Sequence, residues 1–215
     1  MKQQPFLFLY FACLYGAASS VPAIPEVIKF AASPSGSYVA YVAKGETREG
    51  AVRQEVWLKD QEGKERRLFS SDQLEGINYA YASRVTALAW SPSERFLSVS
   101  VSDGDVSVRT AVYDLRKDQW QVLVPNRDPK DPNVQDSWDA QWHPSQDVLF
   151  FRANDSLSDY VVLYRYDARK QTKAKTHLEG GLREYQPVRA GLVLRLAGRG
   201  TDPDRLMFLP YTSFR

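Results

Sequence analysis

One unit of sequence recurs along the chain and constrains the fold more than any other feature. The unit is an apolar segment, a residue followed by proline, three or four turn-forming residues, and a second segment in which apolar and polar residues alternate. Its copies are centred on Ser33-Pro34, Ser91-Pro92, His143-Pro144 and, more weakly, Gln186-Pro187. A repeat of this length indicates stacked supersecondary units.

The similarity continues after the turn in each copy. A further apolar segment ends near Asp60, Asp114 or Asp167, a short polar turn follows, and a final segment completes the unit. The fourth copy reaches "DRLMFLPYT" without a final segment. Because the aspartate recurs at one repeat position, we expect a structural role in which its carboxylate accepts hydrogen bonds from backbone amides of the turn.

The apolar pattern within each unit is that of β-strands. Apolar residues recur at every second position, which is typical of strands that are buried on one face, and Val, Tyr, Trp and Phe are frequent in them. No stretch after residue 25 has a convincing helical period. Each unit is therefore predicted to be a four-stranded antiparallel sheet, and such small sheets pack face to face around an axis.

The motif "W-S-P-S-x-x-x-L-x-V", followed by "V-Y-D-L", resembles the TolB-type propeller repeat, also called the PD40 or WD40-like repeat. Residues 30–41 are the best copy, and the departures are Ser instead of Asp after proline and a degenerate fourth unit. The resemblance implies an all-β fold, a β-propeller of about four small antiparallel blades. The repeat units are residues 26–74, 84–126, 137–179 and 182–215.

Four blades leave the closure of the ring open. We favour a four-bladed ring, for which a strand from Val21 to Pro25 would complete the last blade. One alternative is an open arc that pairs with another copy or with a partner, because an open arc exposes a sheet face and a sheet edge. The other is a truncated relative of a larger protein.

The N-terminus has the features of a secretory signal peptide. Met1 and Lys2 precede an uninterrupted apolar run from Phe6 to Ala18, which is shorter than a membrane-spanning helix. We predict a signal peptide at residues 1–20, cleavage between about residues 19 and 23, a propeller at 21–215, and a periplasmic or secreted location. The alternatives are a buried helix or an uncleaved anchor.

The single cysteine, Cys13, lies inside this apolar run. Its lipidation is a further alternative, although the preceding residues match a lipobox poorly. After cleavage no cysteine would remain, and the mature chain would then have no disulfide, thiolate metal site or cysteine nucleophile.

Motifs for catalysis or cofactor binding are missing from the sequence. His143 and His177 lack zinc-ligand spacing, and there is no G-x-S-x-G elbow or phosphate-binding loop. The segment 126–136 offers Asp128, Asp131 and Asp136 as calcium ligands, but its spacing favours a solvated loop. We predict no catalytic residues, no cofactor and no metal.

Binding residues are sought in the parts of the chain that do not repeat. The candidates are aromatic residues in the connector 75–84 and arginines in the fourth unit. The simpler alternative is that the connector is buried and that the arginines lie on solvated strand faces. The candidate partner-binding residues are Tyr79, Tyr81, Arg183, Arg189, Arg195 and Arg199.

These observations predict an exported, non-enzymatic β-propeller that acts as a protein–protein interaction scaffold, TolB-like by resemblance. The net charge of +2 gives no indication of a nucleic-acid partner. No transmembrane span is expected after cleavage, and a homodimer is one alternative if the propeller is open. The alternative is a small-ligand or carbohydrate-binding propeller, or a degenerate propeller enzyme.

Overall fold

The computed structural model describes residues 26–48, 51–73, 83–102, 108–123, 134–155, 161–178, 181–198 and 200–215. Several sequence-based predictions fall outside these residues. They are the signal peptide at 1–20, the closing strand at 21–25, Tyr79, Tyr81, Asp128, Asp131 and Arg199.

The described residues form strands joined by tight turns, with two short 3₁₀ helices at Ser71–Gln73 and Tyr211–Ser213. In this part of the chain no helix is long and apolar enough to cross a membrane. The strands are β1 (Val27–Ala32), β2 (Tyr38–Arg48), β3 (Ala51–Asp60), β4 (Glu65–Ser70), β5 (Arg84–Trp90), β6 (Phe96–Ser102), β7 (Val108–Asp114), β8 (Gln119–Val122), β9 (Val134–Trp142), β10 (Val148–Asp155), β11 (Val161–Asp167), β12 (Thr172–His177), β13 (Leu182–Val188), β14 (Gly191–Leu196) and β15 (Arg205–Pro210).

The strands form four antiparallel sheets, and in each sheet neighbouring strands are consecutive in sequence. Blade 1 is β1–β4, blade 2 is β5–β8, blade 3 is β9–β12, and blade 4 is β13–β15. The predicted all-β fold of about four small blades is therefore confirmed. The fourth blade has three strands among the described residues, which agrees with the shorter fourth repeat.

The x-Pro turns of the first three blades share one hydrogen-bonding scheme. The backbone amides of Ser33, Ser91 and His143 donate to carbonyls five residues later at 2.8, 2.9 and 2.8 Å. The hydroxyls of Ser33 and Ser91 also accept a hydrogen bond from the backbone amide five residues later, at 3.1 and 3.2 Å. Each turn is thereby closed twice, which explains why serine precedes proline there.

The fourth proline does not follow this scheme. Pro187 lies inside β13, where it pairs with Leu192, and the turn consists of Arg189 and Ala190. The expectation that Gln186-Pro187 forms the turn is therefore wrong. Proline is tolerated at this position because β13 is an edge strand, which has no hydrogen-bonding partner on one side.

The recurring aspartates cap the turns that follow the third strands. The Oδ1 atoms of Asp60, Asp114 and Asp167 each accept a hydrogen bond from a backbone amide of the next turn, at 2.9, 3.0 and 3.1 Å. The structural role predicted from their recurrence is confirmed.

The core consists of three apolar layers, each lying between two successive blades. Two tryptophans at equivalent positions tie the blades together. Trp90 Nε1 donates to the carbonyl of Ala31 at 2.9 Å, and Trp142 Nε1 donates to that of Ala89 at 3.1 Å. Each bond joins the first strand of one blade to the first strand of the preceding blade, and Trp90 is buried as predicted.

The blades follow one another as an open arc. Packing joins blade 1 to blade 2, blade 2 to blade 3 and blade 3 to blade 4. Between the described residues of blades 1 and 4 there is no packing of comparable extent. The favoured closed ring of four blades is therefore wrong for this part of the chain, and the alternative of an open arc describes it.

Candidate interaction surface

Exposed large apolar side chains are confined to the two ends of the arc. Among the described residues they are Val27, Ile28 and Phe30 on β1 and Leu206 and Phe208 on β15. Phe30 is 70% exposed and Leu206 is 75% exposed. Because β1 belongs to the first blade and β15 to the last, the surface where the next blade would pack is apolar at both ends.

The open face of blade 4 is set by strand alternation. Leu192, Leu194 and Met207 point into the core shared with blade 3. Alternation then places Val193 and Phe208, which pair across β14 and β15, on the opposite face. Leu206, two residues before Phe208, lies on the same open face.

Arg195 lies on this open face beside the apolar side chains, because it pairs with Leu206 across β14 and β15. Its guanidinium lies 3.2 Å from Glu184 and 3.2 Å from Asp204, and its side chain is 49% exposed. These surface ion pairs contribute little to stability. An incoming partner would therefore compete with Glu184 and Asp204 for the guanidinium of Arg195.

The open face of blade 1 is apolar near the axis. Phe30 on the first strand pairs with Tyr41 on β2, and Tyr41 pairs with Trp57 on β3. Tyr41 and Ala43 are buried, and burial, followed by the hydrogen bond to Glu65, raises the pKa of Tyr41 to about 12.

The outer half of the same face is polar. The carboxylate of Glu55 on β3 accepts hydrogen bonds from Arg67 at 2.9 Å and from the Trp57 indole at 3.1 Å. Lys59 forms an ion pair with Glu65 at 3.0 Å. The hydrogen bond from Lys59 lowers the pKa of Glu65. Blade 1 thus presents an apolar inner half and an ion-paired outer half, which suits a capping blade in an array.

After β15 the described residues turn away from the free edge of blade 4. Arg215 turns back to β12 of blade 3, where it exchanges two backbone hydrogen bonds with Lys175 at 3.0 and 3.2 Å. Tyr211 stacks on Phe150 at 5.1 Å between ring centroids. These residues fill the layer between blades 3 and 4, so that β15 remains an edge strand among the described residues.

Three of the four predicted arginines lie within the described residues of blade 4. Arg183 lies on β13, Arg189 lies in the turn between β13 and β14, and Arg195 lies on β14 between two carboxylates. Their role in partner binding, like that of Tyr79, Tyr81 and Arg199 outside the described residues, stays a prediction.

A polar cleft of about 420 Å³ lies between the x-Pro turns of blades 2 and 3. Asp147 at its base is buried, and it accepts hydrogen bonds from Arg169 Nε at 2.6 Å and the Ser93 amide at 3.3 Å. Burial raises the pKa of Asp147, but the hydrogen bonds from Ser93, Arg169 and Ser91 outweigh it, so the pKa is lowered. This carboxylate therefore stays ionised and clamps two turns together.

Both histidines lie within the described part of the chain, one in a turn and one at the end of a strand. His143 is buried, its Nδ1 accepts the Ser145 amide at 3.0 Å, and its ring lies against Tyr211. Burial lowers its pKa. His177 is exposed at the end of the outer strand β12, as expected.

No three His, Cys, Asp or Glu residues within the described ranges are grouped to hold a metal ion. Asp136, which the calcium alternative uses, lies 2.5 Å from the buried guanidinium of Arg109.

Phe30, Leu206 and Phe208 were not among the residues predicted to bind a partner. One signal points to the last two: "LMFL" at 206–209 is apolar at consecutive positions, so both faces of β15 are apolar. A strand with this pattern is expected to be covered on both faces, and here one face is bare.

No protein-family model matches the chain, and no curated protein matches it in sequence. Solved structures do resemble it. The β-propeller domain of the trilobed protease from Pyrococcus furiosus, which has an open velcro topology, is 11% identical with a TM-score of 0.58. The chain has the fold of a β-propeller. The propeller inferred from the repeat is thereby confirmed.

Further structural neighbours come from different proteins. TolB from Acinetobacter baumannii is 17% identical over 89% of this chain, with a TM-score of 0.49. A puromycin-hydrolyzing peptidase from Mycobacterium tuberculosis is 15% identical over 87% of this chain, with a TM-score of 0.51. The match to the trilobed protease domain covers 86% of this chain. The chain spans 58% of that domain, 42% of TolB and 27% of the peptidase.

Proposed function

We propose that the chain is an exported, non-enzymatic β-propeller arc that acts as a protein–protein interaction scaffold in the cell envelope. The observation that carries the proposal is the bare apolar face of blade 4. Leu206 and Phe208 lie where, in blades 1 to 3, the following blade covers the sheet. Covering a Leu or Phe side chain fully stabilises a complex by roughly 1.5–3 kcal/mol.

The rigidity of the scaffold supports this function. Phe208 and Leu206 are held on a strand that pairs along its whole length with β14. A partner therefore meets side chains that are already in place, and association costs little ordering of this chain.

The surroundings of the buried carboxylates support a non-enzymatic role. The carboxylate of Asp114 accepts hydrogen bonds from Arg95 Nε at 3.0 Å and from Arg95 Nη2 at 2.7 Å. The carboxylate of Asp147 accepts one from Arg169 Nε. Both carboxylates hold turns together, and their pKa values are lowered. A general acid or base needs a pKa close to the working pH, so these groups are unsuited to the task.

The proposed export rests on the N-terminal sequence. A basic start at Lys2 and an apolar run from Phe6 to Ala18 are the features of a signal peptide. A chain exported in this way would meet its partner in the periplasm or outside the cell.

Photochemical crosslinking in intact cells tests the function. We expect Phe208→benzoylphenylalanine to crosslink the chain to a protein of defined mass, whether that protein is another copy or a different one. The matched control is Lys170→benzoylphenylalanine, in an exposed turn of blade 3, which should give no product. Crosslinking at neither position, or equally at both, contradicts the proposal.

A further inference from the structure

We infer that the protein bound at the open ends is a second copy of this chain, joined head to tail. Blade 4 of each copy packs on blade 1 of the other. This inference rests on the proposed function, because it names the partner of the same apolar surface. It follows from the way in which blades already pack on one another within the chain.

The first strand of each blade contacts the first strand of the next blade, and in two of the three joints it also contacts the third strand of the preceding blade. In this chain β3 contacts β5, and β7 contacts β9. The exposed apolar side chains lie on β15, the third strand of the last blade, and on β1, the first strand of the first blade. The two strands that this rule would bring together are therefore the two that are apolar and bare.

Strand register extends the equivalence to single residues on β15. Phe208 occupies in blade 4 the position that Leu58 occupies in blade 1, and Leu206 occupies that of Val56. Leu58 and Val56 are buried in the layer between blades 1 and 2. Their equivalents on blade 4 are exposed because, among the described residues, no sheet packs against this face.

The same comparison applies to Phe30 on β1. Its equivalents are Leu88 in blade 2 and Tyr185 in blade 4, judged from the partner that each has on the second strand. Leu88 packs in the layer between blades 1 and 2, and Tyr185 is buried between blades 3 and 4. A head-to-tail joint would accordingly place Phe30 of one copy against Phe208 of the other.

Arg195 supplies the polar part of the joint. Its equivalent in blade 3 is Arg152, whose guanidinium donates to the carbonyls of Leu182 and Arg183 on the first strand of blade 4 at 3.0 and 2.9 Å. By the same geometry Arg195 would donate to carbonyls of β1 near Val27 of the second copy. The joint thus repeats a charged contact that the chain already buries.

The outlines of the two faces also match. The described part of blade 4 has three strands, so it would cover the inner part of the blade 1 face, where the exposed Phe30 lies. The outer part, with its ion pairs at Glu55 and Glu65, would remain in water. Ion pairs are tolerated there because they keep their solvation.

Two copies joined in this way make a two-fold ring of eight blades, a number within the range of known propellers. A face of three strands with six residues each measures roughly 14 by 20 Å. Two joints bury about 1,100 Å² of flat area, close to the lower limit of specific interfaces. We therefore expect dissociation in the micromolar range.

Sedimentation velocity of the processed full chain, at concentrations from about 1 to 100 µM, tests the inference. The wild type should reach twice the single-chain mass. Phe208→Glu and Phe30→Glu should each be monomeric, because either charge enters both joints of a ring of two identical copies. Lys170→Glu should stay dimeric. Both phenylalanines are exposed, so these charges leave the core intact, and an unchanged far-UV circular dichroism spectrum shows that both variants are folded.

Three results would overturn the inference. A wild type that is monomeric at all concentrations excludes a second copy as the partner. Loss of dimers in Phe208→Glu alone indicates that two blade 4 faces meet, and species larger than two copies exclude the closed ring. The proposed function is tested separately, because it requires a crosslink at residue 208. A monomeric chain that crosslinks to a different protein would refute the second copy as partner and leave the proposed function standing.

Discussion

Replacing Asp147 with asparagine should weaken the clamp between the x-Pro turns of blades 2 and 3. The carboxylate is buried, and it accepts hydrogen bonds from Arg169 Nε at 2.6 Å and from the Ser93 amide at 3.3 Å. The amide of asparagine removes the charge and turns a donor toward Arg169. Hydrogen bonds to charged groups contribute about 1.5–3 kcal/mol, and Arg169 can recover water because it is exposed, so we expect a loss of about 2 kcal/mol.

The assay is thermal and urea unfolding at several pH values. A loss of about 2 kcal/mol lowers the Tm of a chain of this size by roughly 5 °C at pH 7. The pKa of Asp147 is lowered in the folded state, so its contribution is present above the unfolded pKa of about 3.9 and disappears as the pH falls through the folded pKa. The difference between wild type and Asp147→Asn should therefore shrink in acid.

The matched control is Glu94→Gln, which removes the corresponding carboxylate between blades 1 and 2. Glu94 accepts hydrogen bonds from the Ser33 hydroxyl at 3.1 Å and the Ser35 hydroxyl at 2.6 Å in a more exposed setting, where such contacts contribute less than about 1 kcal/mol. Equal losses for Asp147→Asn and Glu94→Gln, or a loss at Asp147 that does not change with pH, would refute the reasoning.

Two further substitutions test the contacts between blades. Trp142→Phe removes hydrogen bonds to the Ala89 carbonyl at 3.1 Å and the Ser98 hydroxyl at 3.0 Å and should cost about 1–2 kcal/mol in urea unfolding; a change below 0.5 kcal/mol would show that the indole only fills space. Tyr185→Phe leaves the Phe150 carbonyl without its donor at 2.9 Å, and we expect a similar loss by circular dichroism, with unchanged stability as the contrary result.

Much of the fold was predictable because it depends on local patterns that recur. Ser33, Ser91 and His143 mark turns that close in the same way, and Asp60, Asp114 and Asp167 cap the next turns. Repetition made these roles readable, since a residue type that returns at one position of every unit serves the unit itself. Pro187 misled the prediction because a proline in an edge strand has the same sequence signature as one in a turn.

The candidate surface was less predictable. Val56 and Leu206 are equivalent apolar residues on third strands, yet one is buried and the other is 75% exposed. Nothing in the alternation around either residue distinguishes them, because exposure depends on whether another blade lies against the sheet. Only the apolar run at 206–209 hinted that both faces of β15 need cover.

The sequence by itself determined the strands, their turns and their grouping into small sheets, because period-two alternation, prolines and turn aspartates act within a few residues. The tertiary structure alone decided that the blades form an open arc, that Arg195 lies between two carboxylates, and that Phe30 and Phe208 lie bare at opposite ends. Those features depend on the packing of sheets that are distant in sequence, and burial, which sets where apolar surface remains, is a property of that packing.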